Sequence, residues 1–177
     1  MAAAGKILAV ASSGRQVTAG VQLYPPAASD PVSPTPGQGD QYYNTALDEL
    51  MVYDGTRAKW LSAATYTIQA GRSGDTNAGS FYRGVNGLLL DASNRGIPCP
   101  QGTIVSVAWS RTDSDAATLA VLNNGASVTT LASAVAGAVR SDSVNADVSA
   151  GLLSFQNQAG GNQTSNVQIV ILLKRRA

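Results

Sequence analysis

TIVSVAWSRTDSDAATLAVLNNGASVTTL, residues 103–131, decides the fold class. Over residues 103–110, Ile104, Val105, Val107 and Trp109 alternate in part with Ser106 and Ser110, which predicts a strand. Residues 118–122 read as the next strand. Asn123-Asn124-Gly125 reads as a hairpin turn, because Asn and Gly accept a positive φ at little cost. Residues 127–131 return antiparallel.

Working outward towards the C-terminus, residues 145–148 and 152–155 are short strands with a break at Gly151, and residues 157–165 form a polar loop around Gly160-Gly161. The stretch 131–139 is ambiguous. Leu131, Val135, Ala138 and Val139 fit a short helix, but Gly137 argues against one, and a loop or irregular strand is expected. The closing strand, residues 167–173, is apolar on both sides. Val167, Ile169, Ile171 and Leu173 share one face, and Val170 and Leu172 the other. Both faces have to be covered. Either a second layer or a neighbouring subunit covers one of them, or the strand is buried wholly in its own domain. Val167, Ile169, Ile171 and Leu173 stand as the candidate subunit interface.

Working towards the N-terminus, short strand candidates lie at residues 66–68, 80–82 and 88–90, and Pro98 and Pro100 close that part. Residues 40–62, DQYYNTALDELMVYDGTRAKWLS, form a small β-meander: strands at 42–43, 50–53 and 59–61, with a turn at 46–48 and another at Asp54-Gly55. Three such strands need something to pack against. Residues 25–39 hold five prolines and two glycines and predict an extended linker or arm. Strands at roughly 8–12-residue spacing after residue 63 point to a sandwich or barrel. The expected order is an extended arm over 1–39, the meander over 40–62 and a β-sandwich over 63–177, an all-β antiparallel chain.

Composition narrows the chemistry. Histidine is absent, Cys99 is the single cysteine and Glu49 the single glutamate among 177 residues. No Ser-His-Asp or Cys-His arrangement can be built, a zinc site lacks its ligands, and no intrachain disulfide can form. A net charge of +1 gives no electrostatic footprint for nucleic acid or an anionic membrane. No apolar run reaches the ~20 residues needed to cross a bilayer. The N-terminal apolar segment, residues 7–11, is shorter than the ~7–15 residues of a secretory core, so a non-secretory start is expected. The sequon at Asn162 then reads as a polar loop.

The remaining candidates each have a structural alternative. Asp113, Asp115, Asp75 and Asp91 offer oxygen ligands for calcium, or are loop carboxylates. Asp48 and Glu49 are an acid/base pair only if neighbours in sequence point the same way. Tyr42, Tyr43, Tyr53 and Trp60 are either a platform for sugar rings or the meander's own packing and attachment face. Lys174-Arg175-Arg176 is a phosphate contact or a solvated end. Cys99, between two prolines, reads as a packed residue rather than a reactive thiol.

The stretch carrying Gly39, Asp40, Tyr42, Tyr43, Asn44, Thr45, Val52, Tyr53, Asp54, Gly55 and Trp60 resembles a short module of bacteriophage tail-fibre and other virion proteins. The region with Trp109, the 121–125 hairpin, Ala150-Gly151 and the closing strand resembles the jelly-roll-like sandwich heads of phage fibres and capsid decorations. Members of that class often carry Asp after the late glycine; here Leu152 stands there. The resemblance implies a non-enzymatic virion protein without cofactor, assembled in the host cytoplasm as a homotrimer. It implies capsid decoration (a head fibre) attached through the N-terminal region to the major capsid protein or another virion protein, with no nucleic acid or membrane insertion involved. The alternative it implies is a tail fibre or tail tip that recognises a host surface glycan through loops 111–116 and 156–165. A polysaccharide hydrolase working through Asp residues is a third reading.

Overall fold

The computed structural model describes residues 16–18, 20–91, 95–113, 115–133, 136–158 and 163–176. The described residues contain strands and no helix. The chain divides into two compact units: residues 1–65 with 174–177, and residues 66–173.

The smaller unit is one five-stranded sheet in sequence order: β1 (Gln16–Thr18), β2 (Val21–Leu23), β3 (Gln41–Asn44), β4 (Glu49–Asp54) and β5 (Lys59–Ser62). β3, β4 and β5 are the antiparallel meander, and β2 joins β3 in parallel through Leu23 opposite Gln41. The expectation that this region lacks a core of its own is revised. Tyr24, Tyr42, Met51 and Trp60 are buried together, with Ala27, Leu47 and Tyr53 against them. Tyr24 immediately precedes the proline-rich segment and Ala27 lies within it, and that segment is a packed wall of the unit rather than a free linker. Asp40 explains how the wall is held. Its buried carboxylate accepts the amides of Gln22 (2.7 Å) and Gly37 (2.8 Å), tying both ends of the segment to β3.

The larger unit has two antiparallel sheets. The first has the order β11-β10-β14-β8, with β8 (Ile97–Cys99), β10 (Ala117–Asn123), β11 (Ala126–Ser133) and β14 (Gly151–Asn157). The second has the order β12-β9-β15-β6-β7, with β6 (Tyr66–Thr76), β7 (Arg83–Gly84), β9 (Gly102–Arg111), β12 (Gly137–Ser141) and β15 (Thr164–Arg175); β13 (Ala146–Val148) also pairs with β9. One apolar cluster takes Leu119, Val121, Leu153 and Phe155 from the first sheet and Ile104, Trp109, Ile169 and Ile171 from the second. Two sheets sharing one core make a β-sandwich.

The closing strand corrects one expectation. Val167, Ile169, Ile171 and Leu173 are 2%, 1%, 0% and 0% exposed and belong to this cluster. They are filled by their own domain and offer no surface to a neighbouring copy. Val170 and Leu172, on the other face, are half-buried.

The turn at Asn124-Gly125 has φ of 50° and 86°, the left-handed pair a tight hairpin needs. Asn124 Oδ1 accepts the Leu152 amide (2.9 Å), and Asn123 Oδ1 accepts the Ser149 amide (2.9 Å). Gly151 is required between them, because a Cβ there would lie 2.1 Å from Asn124 Oδ1.

Candidate functional site

The meander motif builds an aromatic clasp. Registers Tyr42–Met51–Ser62 and Tyr53–Trp60 put Tyr42, Met51, Tyr53 and Trp60 on one face of the small sheet. Trp60, 4% exposed, meets three tyrosines edge to face, with centroids at 4.9 Å (Tyr42), 5.3 Å (Tyr53) and 5.5 Å (Tyr24). Such pairs add about 0.5–1.5 kcal/mol each beyond burial.

The polar tips then grip the proline-rich segment. Trp60 Nε1 donates to the Pro31 carbonyl (3.0 Å), Tyr24 OH to the Pro34 carbonyl (2.8 Å) and Tyr42 OH to Asp30 Oδ1 (2.5 Å). Prolines supply carbonyl acceptors and no N–H, so a set of donor side chains is the matching partner. Asn44 Nδ2 donates back to Tyr42 OH (2.8 Å), and Asn44 Oδ1 accepts the amides of Ala46 and Leu47. A cavity of about 320 Å³ lies beside the clasp, lined by Asp30, Val32, Tyr53, Lys59 and Arg176 among others. Burial raises the Asp30 carboxyl above its usual range, against the opposing pull of the Tyr42 hydrogen bond and the Arg176 charge. Burial and then the Asp30 hydrogen bond push the Tyr42 hydroxyl up.

Three of the four aromatics singled out in the sequence therefore converge. Tyr43 does not: it lies on the opposite face, where its hydroxyl donates to the Asp48 carboxylate. There Tyr43 sits directly opposite Leu50, with Leu23 one strand away opposite Gln41. These three are 41%, 43% and 38% exposed. A buried Trp60 cannot stack a sugar ring; the exposed apolar surface is the Tyr43 face. Tyr24 and Asp30 belong to the clasp and carry no motif. Tyr24 follows the apolar Val21 and Leu23, a faint signal masked by Pro25-Pro26.

Asp115 is exposed; most of the other candidates have structural partners. Arg111 donates to Asp113, which also accepts the Ser165 amide (2.7 Å). Asp75 accepts Ser165 Oγ (2.5 Å), and Asp91 accepts the Arg95 amide (3.0 Å). Among the described residues no three His, Cys, Asp or Glu side chains converge. Glu49 pairs with Arg175 (2.8 Å) within the small unit, while Asp48 turns to Tyr43. Cys99 is buried, and burial pushes its thiol up. Residues 1–15, residue 114 in the first predicted contact loop, and residues 159–162 with the sequon in the second lie outside the described residues.

No family model and no curated protein matches the chain. Among solved structures it is similar to PRD1 vertex protein P5, at 13% identity over 63% of this chain and 96% of that one, with a TM-score of 0.39.

Proposed function

We propose that the chain is a non-enzymatic structural subunit of a phage particle, a homotrimeric capsid-decoration or head-fibre protein held to its neighbour through the small unit. The observation that carries this reading is the division of labour in the five-stranded sheet. One face is filled by the chain's own proline-rich segment. The other presents Tyr43 beside Leu50, with Leu23 along the same face, all more than a third exposed. Large apolar side chains grouped on one sheet face gain free energy when a partner removes them from water. The resemblance of residues 39–60 to a virion module supports a virion protein as that partner. Trimer contacts fall elsewhere than on Val167, Ile169, Ile171 and Leu173, which are core.

The test is binding of purified chain to particles that lack it. Tyr43→Asp and Leu50→Asp reduce the bound amount at least tenfold while the melting temperature stays within a few degrees. Normal occupancy by both variants overturns the assignment. Light scattering on the free chain checks the trimer separately.

A further inference from the structure

A second feature lies in the larger unit. One edge of β6 is paired with β15 from Tyr66 to Thr76. The other edge is covered only at Ala70 and Gly71, opposite Gly84 and Arg83 of β7. After Gly84 the chain doubles back: the Gly87 amide donates to the Gly84 carbonyl and the Gly84 amide to the Leu88 carbonyl (2.9 Å each). Among the described residues no strand therefore pairs with that edge of Thr67, Ile68 and Gln69.

A bare strand edge is a template for pairing with another chain, and folded proteins blunt it with proline, charge or a bulge. β8, β11 and β12, which also lie at sheet edges, each carry such a device. β8 holds Pro98, β12 holds the exposed Arg140, and β11 has a register shift against β10 beside Leu122. Thr67, Ile68 and Gln69 carry none. Their edge also lies in a slot. A cavity of about 360 Å³ runs along Tyr66–Gln69, and Val85, Ile97, Pro98 and Pro100 complete its wall. Ile97 and Pro98 belong to β8, the edge of the facing sheet, so the slot opens between the edges of the two sheets. No residue of the wall is charged. Ile68 is buried on the core side of β6, while Thr67 and Gln69 are exposed on its outer side.

We infer that this slot takes an extended, uncharged peptide segment, which pairs with Thr67–Gln69 as an added strand. Backbone donors and acceptors at ladder spacing are matched by another backbone. The walls at Val85 and Pro98 admit a single extended segment and keep out the edge of a second folded sheet. Side chains alternate across a strand, so apolar residues turn towards Ile68, Ile97 and Pro98 and small polar ones lie beside Thr67 and Gln69. A charge at an inward position would lose its water without gaining a partner. The segment comes from a protein outside the particle. That source rests on the attachment reading, which gives the particle contact to the small unit; the pairing chemistry stands without it.

The experiment follows amide hydrogen exchange of the full chain with three capped heptapeptides: alternating threonine and valine, the same with proline in place of each valine, and the same with aspartate in place of each valine. At millimolar concentration the threonine–valine peptide slows exchange over residues 66–69 by about fivefold or more and leaves β11 unchanged. The proline peptide, short of N–H groups, and the aspartate peptide do not slow it. Val85→Asp, at a side chain 78% exposed, removes the protection, and Val32→Asp, 81% exposed in the small unit, leaves it intact. Should Val85→Asp melt early, the peptide series on the wild-type chain decides. The inference is overturned if the threonine–valine peptide gives no protection, if either other peptide protects as well, if β11 is protected to the same degree, or if a folded Val85→Asp chain is protected normally. A last arm repeats the titration on particles that carry the chain. Protection that again appears only on adding peptide supports a source outside the particle; residues 66–69 already protected there without peptide overturn that source.

Discussion

Trp60 organises the small unit, because one indole contacts three tyrosines and its N–H closes on Pro31. Trp60→Ala is expected to cost about 3–5 kcal/mol, the range for losing a buried large aromatic. Tyr24→Phe removes the bond to Pro34 and costs about 0.5–1.5 kcal/mol. Urea unfolding followed by near-ultraviolet circular dichroism checks both. Asp30 makes a pH prediction. Its carboxyl is raised in the folded chain, so folding favours the protonated form. That contribution is full below the unfolded value near 3.8 and is lost as pH rises through the raised folded value. Between pH 4 and neutrality the wild-type melting temperature therefore falls relative to that of Asp30→Asn. A gap between the two that stays constant across this range contradicts the assignment. At this scale the sequence was half legible. Spacing along three strands announced Tyr42, Tyr53 and Trp60. Nothing in it announced that the carbonyls of Pro31 and Pro34 would be their acceptors, because an acceptor on the main chain has no residue signature.

The closing strand shows what alternation can and cannot tell. Period two in β15 separates its two faces, but phase alone does not say which face is inside. The core takes the Val167, Ile169, Ile171 and Leu173 face. Ile171→Ala is accordingly expected to cost about 2–5 kcal/mol. Leu172→Ser, on the half-buried face, stays within about 1 kcal/mol. Thermal unfolding distinguishes them, and equal losses contradict the placement. Asn123→Ala removes the buried acceptor of the Ser149 amide and costs about 0.5–1.5 kcal/mol in the same assay.

Other elements departed from their sequence signals for local reasons. The ambiguous stretch 131–139 carries the end of β11 and the start of β12, which begins at Gly137 with a φ of 111° that L-residues rarely adopt. Residues 80–82 make only a bridge to Gln156, and residues 88–90 only one to Arg83. β8 was hidden by Pro98, which a strand tolerates at the edge of a sheet, where β8 lies. β6 runs to Thr76, well past its apolar start, because β15 pairs with it through Thr164.

For the whole molecule, fold class was legible because turn residues and short apolar runs recur along the chain, and the two-sheet core follows from them. The organisation of the first third was not. A run of five prolines reads as a linker, and only the aromatic donors opposite it turn it into a wall. On the proposed reading, the exposed Tyr43, Leu50 and Leu23 on the opposite face of the small sheet are the surface for a partner. The most direct measurement is photo-crosslinking inside assembled particles, from a probe at Leu50 and from a reference probe at the exposed Val85 of the larger unit. The account predicts that Leu50 crosslinks to another virion protein and Val85 does not; particles in which Leu50 captures nothing, or only Val85 does, contradict it.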